Sequence, residues 1–116
     1  MKDKEYKKMA VKEDYLTFVM DQLSAIDNVT TKRMFGGVGL FRNSLMFAKI
    51  GGGKFYLKVD DHNKSEFEAR GMKAFYSEKK RKGMPYWAVP VDILEDKDEL
   101  TKWAMKSYEA AERAKK

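Results

Sequence analysis

Three glycines fall within four residues in KRMFGGVGLF, from Lys32 to Phe41, and three more stand together in IGGGKF, from Ile50 to Phe55. Glycine clusters of this kind can cradle phosphates. A dinucleotide site needs G-x-G-x-x-G between a strand and a helix. Gly37 and Gly39 supply the first half, but Arg42 stands where the third glycine belongs. The residues that follow favour a strand, so no helix N-terminus faces a phosphate. A P-loop needs G-x-x-x-x-G-K-[ST]; Gly53-Lys54 matches its end, but Ala48 and Phe55 break it. The remaining reading is structural. Gly36, Gly37 and Gly39 bend one strand into the next beneath a helix, and Gly51 to Gly53 make a hairpin turn.

Other chemistries have fewer residues to work with. His62 is the only histidine, and Asp60 and Asp61 beside it suit either a hard cation or the N-terminal boundary of a helix. No cysteine or second histidine exists to complete a zinc site. None of the serines sits in a G-x-S-x-G elbow. The sequence therefore points to no catalytic residue, no metal and no cofactor. The strongest electrostatic feature is the run Lys79, Lys80, Arg81 and Lys82, flanked by Tyr76, Tyr86 and Trp87. Such a run can contact phosphates, with the aromatic faces stacking bases. Its plainer reading is a solvated hairpin loop whose charges discourage aggregation. Lys54 and Lys58, on the strand at 54–59, extend the candidate nucleic-acid or partner surface.

The elements that must position these residues follow from periodicity. The chain has 116 residues, 43% of them hydrophobic, which suits one packed domain. Its formal net charge is +6, a mild attraction to polyanions. The absence of cysteine and of any long apolar run makes a cytoplasmic protein without membrane contact the expectation. Residues 1–12 read as a loose basic arm and 13–116 as the domain. Tyr15, Phe18, Val19, Leu23 and Ile26 recur at helical spacing over 13–26. Strands follow around 30–35 and 38–41, then at Leu45 to Ile50, which is apolar on both faces and hence central. Lys54 to Val59 alternates cleanly.

Asn63 with Glu66 resembles a capping box for a short helix that Gly71 closes. Strands at 74–77 and 86–89 flank the loop EKKRKGMP, and Pro90 ends the second. Asp96 with Glu99 caps the last helix, whose inner face is Leu100, Trp103, Ser107 and Ala111. The order α-β-β-β-β-α-β-β-α predicts a two-layer α+β domain, with helices packed on a curved antiparallel sheet.

Taken in order, RMFGGVGLF from Arg33, MFAKI from Met46, FYLKVDD from Phe55, FEARGM from Phe67, MPYWAVP from Met84 and the helix from Trp103 form a specific combination. This combination resembles the N-terminal domain of the TfoX/Sxy family, regulators of natural competence, from about Tyr15 to Ala114. Phe41 departs from the tyrosine that the family often has. By position the resemblance carries over Arg33, Met34, Phe35, Gly36, Gly37 and Gly39; Tyr56, Leu57, Lys58 and Asp60; and Gly71, Tyr86 and Pro90, mainly as structural residues. It implies an α+β fold, no catalytic residues, and a role in transcription of competence genes together with the cyclic-AMP receptor protein. It covers only the family's first domain, so a single-domain member is expected. The expected function is a non-enzymatic interaction domain acting by protein contacts. Direct DNA binding through residues 79–82 is the alternative. Pairing of an exposed edge strand across a two-fold axis makes a homodimer a further option.

Overall fold

A computed structural model describes residues 12–34, 36–77 and 81–115. Of the expected arm only Lys12 is described; Phe35, Lys79 and Lys80 also lie outside the described residues. The described residues open with α1 (Glu13–Gln22), followed by four strands, β1 (Val29–Met34), β2 (Gly37–Arg42), β3 (Leu45–Gly51) and β4 (Lys54–Lys58). Then come α2 (Lys64–Ala69), β5 (Ala74–Ser77), β6 (Lys82–Ala88), α3 (Val91–Leu94) and α4 (Lys97–Lys115). The six strands form one antiparallel sheet in the order β1-β2-β3-β4-β6-β5. The α+β expectation holds, with α3 as an unforeseen turn of helix beyond Pro90.

One sheet face carries the core. Val38 and Leu40 of β2, Ala48 and Ile50 of β3, and Phe55 and Leu57 of β4 are almost fully buried and pair across the strands. The register slips between Leu40 and Phe41, so Leu40 faces Ala48 while Phe41 faces Met46. That bulge leaves Phe47 unpaired and turns it to the core, edge-on to Tyr108 of α4 at 6.4 Å. From α4, Leu100, Trp103, Ala104, Ser107, Tyr108 and Ala111 are buried, as its spacing predicts. Phe67 of α2 lies between Trp103, at 4.8 Å, and Trp87, at 6.1 Å.

Several local expectations need correction. Asn63 does not cap α2. Its amide donates to the Lys58 carbonyl at 3.0 Å and to Ser107 Oγ at 3.4 Å, while its Oδ1 accepts the Asp60 N–H at 2.8 Å. Glu66, the other half of the expected box, pairs with Lys106. Asp96 does cap α4, accepting the Glu99 N–H at 3.1 Å. The first helix ends at Gln22, four residues early, and Gln22 reaches the Leu94 carbonyl at 3.0 Å. Strand β6 begins at Lys82 rather than Tyr86. Gly83 and Pro85 argue against a strand there, but β5 and β6 slip register between Ala74 and Tyr76. Pro85 falls in that irregular stretch, where a missing N–H removes no ladder bond.

Candidate functional site

Alternation places Gly37, Gly39 and Phe41 on the sheet face opposite Val38 and Leu40. Register then fixes their neighbours: Gly39 sits between Lys32 and Lys49, Lys49 pairs with Tyr56, and Tyr56 with Ala88. The helices contact the other face, through pairs such as Arg33 with Glu13 and Phe47 with Tyr108. The expectation of a glycine bend beneath a helix is therefore half right. Gly36, at φ 78°, turns β1 into β2, but the glycines of β2 lie on the face opposite the one that carries Val38 and Leu40. A Cβ at Gly37 would stand 2.4 Å from the Ile50 carbonyl oxygen, so β2 approaches β3 more closely than a side chain permits. A Cβ at Gly39 would meet Phe41 at 3.1 Å and the ends of Met34 and Met46 at 3.3 Å. The motif glycines form a floor, and the two methionines lie across it.

This face is concave. Strand β5 stands three positions from β3 in the sheet, about 14 Å if the sheet were flat. Yet Phe75 of β5 packs edge-on against Tyr56 at 5.2 Å, and its ring centroid is 3.6 Å from Lys49 Nζ. Tyr86 of β6 likewise reaches the Met46 carbonyl of β3 at 3.5 Å. The β5–β6 hairpin must curl over the face to make these contacts. Between the hairpin and the glycine floor lies a pocket of about 180 Å³. Met34, Met46, Lys49 and Phe75 are its principal side-chain walls.

Lys49 is the charged group of this pocket. Burial lowers its pKa from the ordinary lysine value. Its charge faces the Phe75 ring, and Tyr56 more distantly at 5.9 Å, a contact that favours an ammonium. No ion pair involves it among the described residues. Burial also pushes the Tyr56 and Tyr86 phenols up, so both stay neutral and serve as hydrogen-bonding or packing groups.

Of the cations singled out from sequence, Lys54, Lys58, Arg81 and Lys82 are described, and they spread along the β4–β6 side of the sheet. Lys54 and Lys58 share the concave face but stand about 13 Å apart along β4. Lys58 lies 5.2 Å over the Tyr86 ring. Arg81 and Lys82 are exposed, near the tip of the β5–β6 hairpin. The register Lys58↔Tyr86 puts that tip beyond the Lys58 end of β4 and away from Lys54. Sequence reasoning missed Lys49 because a lysine inside an apolar strand looks like an ordinary exposed alternation; only the curl of the hairpin reveals its surroundings.

Asp60 is committed elsewhere. Its carboxylate accepts from Arg113 Nε at 2.7 Å and Nη2 at 3.1 Å, and from the His62 N–H at 2.9 Å. The Arg113 bond is the main reason its pKa is lowered. Among the described residues, no three His, Cys, Asp or Glu side chains gather as metal ligands. No helix among them is long and apolar enough to cross a membrane.

The fold and the site define a small α+β domain that covers one sheet face with helices and leaves the other concave, floored by glycine and edged with lysine. The family model of the TfoX N-terminal domain matches residues 21–111, and the chain belongs to that family. The match includes the glycine floor, Lys49 and the curled hairpin. Comparison with curated proteins finds no match.

Proposed function

We propose that this chain is a non-enzymatic regulatory domain that acts by protein contacts, in the control of transcription or of DNA transformation. Its membership of the TfoX N-terminal domain family over residues 21–111 carries this reading. The concave face supports it chemically. Met34, Phe41 and Met46 are half-buried there, and Lys32 and Lys54 are exposed. Methionines repack against varied surfaces, and lysines at a rim steer an acidic partner. The test is site-specific photo-crosslinking in cells, with the reactive group at Lys54 on this face and at Lys102 on α4. A discrete product from position 54, absent from position 102, is expected. Equal products from both positions, or none from either, would refute it.

Direct nucleic-acid binding is the second reading, favoured by one observation. Among the described residues Lys54, Lys58, Arg81 and Lys82 take part in no ion pair. It requires affinity for DNA that falls with salt, with the slope reduced by about one for each phosphate contact removed. Replacing residues 79–82 by glutamine must then weaken binding. Unchanged binding in that variant would exclude the loop as the contact.

A further inference from the structure

We infer that the pocket over Gly37 and Gly39 binds a small organic acid, with Lys49 taking the carboxylate and Met34, Met46 and Phe75 enclosing an apolar body. The inference stands on the pocket itself and does not depend on the partner-binding reading.

Size comes first. The pocket holds about 180 Å³. A dry protein cavity of about 150 Å³ accommodates benzene. An occupant with about six to ten non-hydrogen atoms therefore fits, and a nucleotide does not.

The lining selects the chemistry. Met34, Met46 and Phe75 stand as apolar side chains over a floor of glycine backbone, and adaptable methionines close around a varied apolar shape. Gly39 keeps the floor low, since a Cβ there would already crowd Met34 and Met46.

Charge selects the head group. The Lys49 ammonium rests 3.6 Å from the Phe75 ring centroid, which shields one side of it and leaves N–H donors for the pocket. Burial lowers its pKa, so its charge is incompletely solvated and lacks a counter-charge from any described carboxylate. A carboxylate supplies that counter-charge through a charge-assisted hydrogen bond, strengthened by the partial exclusion of water. A single cation suits a monoanion. Phosphate sites gather several donors, commonly backbone N–H groups at a helix N-terminus, and among the described residues no helix begins at this pocket.

The experiment is a titration of the whole chain, labelled at its methionine methyl groups, with benzoate and with the uncharged isostere benzamide, read by NMR at neutral pH. Benzoate is expected to shift the Met34 and Met46 methyl signals saturably and to bind at least tenfold more tightly than benzamide. Lys49→Met keeps a similar volume without the charge; it should erase that preference, and Lys49→Arg should retain it. The inference is overturned if benzoate gives no saturable shift in the millimolar range. It is equally overturned if benzamide matches benzoate, or if Lys49→Met binds benzoate unchanged. Should Lys49→Met fail to fold, the contrast between benzoate and benzamide in the unaltered chain decides alone. A short peptide ending in a free phenylalanine carboxylate is the third ligand. If it bound tenfold more tightly than benzoate, it would assign the pocket to a chain terminus and overturn the small-acid reading.

Discussion

Substituting Gly37 by alanine tests whether the glycine motif is architectural. The added Cβ would lie 2.4 Å from the Ile50 carbonyl oxygen, well inside ordinary van der Waals contact. The obstacle is backbone, so no rotamer change relieves it; β2 and β3 must separate locally by close to an ångström. Val38 and Ile50 are register partners beside this point and almost fully buried, so the shift reaches the core. Overpacking costs about 1–3 kcal/mol, and a backbone obstacle places this variant near the top of that range. For a domain of this size about 3 kcal/mol corresponds to roughly 12 °C or more in Tm. Gly51→Ala is the matched control. Its Cβ would meet only the end of Lys49, at 3.8 Å, so a change within about 0.5 kcal/mol is expected. Urea unfolding followed by tryptophan fluorescence, with thermal scans, measures both. If the two variants unfold alike, the close approach of β2 to β3 is not what requires glycine at position 37.

Asn63→Ala leaves the Lys58 carbonyl and the Asp60 N–H without their partner inside the fold, and should cost about 2–3 kcal/mol in urea unfolding. Phe67→Ala empties the space between Trp87 and Trp103 and should cost about 3–5 kcal/mol, with altered tryptophan fluorescence in the native state. Acid unfolding tests the Asp60–Arg113 pair. The folded pKa of Asp60 lies below its ordinary value of 3.8, so its stabilisation is complete above that value and is lost as pH falls through the depressed one. Asp60→Asn should therefore flatten the stability profile below about pH 4 and lower stability at neutral pH. An unchanged acid limb would show that the pair contributes nothing.

Much of the fold is written in local patterns. The alternation of Lys54 to Lys58, the two-faced apolarity of Leu45 to Ile50 and the spacing of Leu100, Trp103, Ser107 and Ala111 each correspond to an observed element with the expected face buried. What escaped depends on partners distant in sequence. Asn63 has the residue type and spacing of a cap, yet Ser107 and the Lys58 carbonyl compete for its amide. Pro85 looks like a strand breaker, yet a register slip absorbs it. Four residues of α3 are too few to show a period. The pocket was the least legible feature, because it depends on Phe75 arriving over Lys49 across three strand positions. Local patterning says which face a residue occupies, not how far the sheet curls.

The curled hairpin has an energetic consequence. Three register pairs join β6 to β4, whereas six join β1 to β2. The wall bearing Phe75 is thus held to the body by a short ladder, by the packing of Trp87 on Phe67, and by contacts of Phe75 with Tyr56 and of Tyr86 with the Met46 carbonyl. A unit joined by few pairs is expected to open at a lower free energy than the central strands. Amide hydrogens of β5 should exchange far sooner than those of β3. The concavity is then a volume set by a population, wider in the molecules whose hairpin has swung away, and an occupant that fills it would slow that exchange in proportion to how tightly it is held.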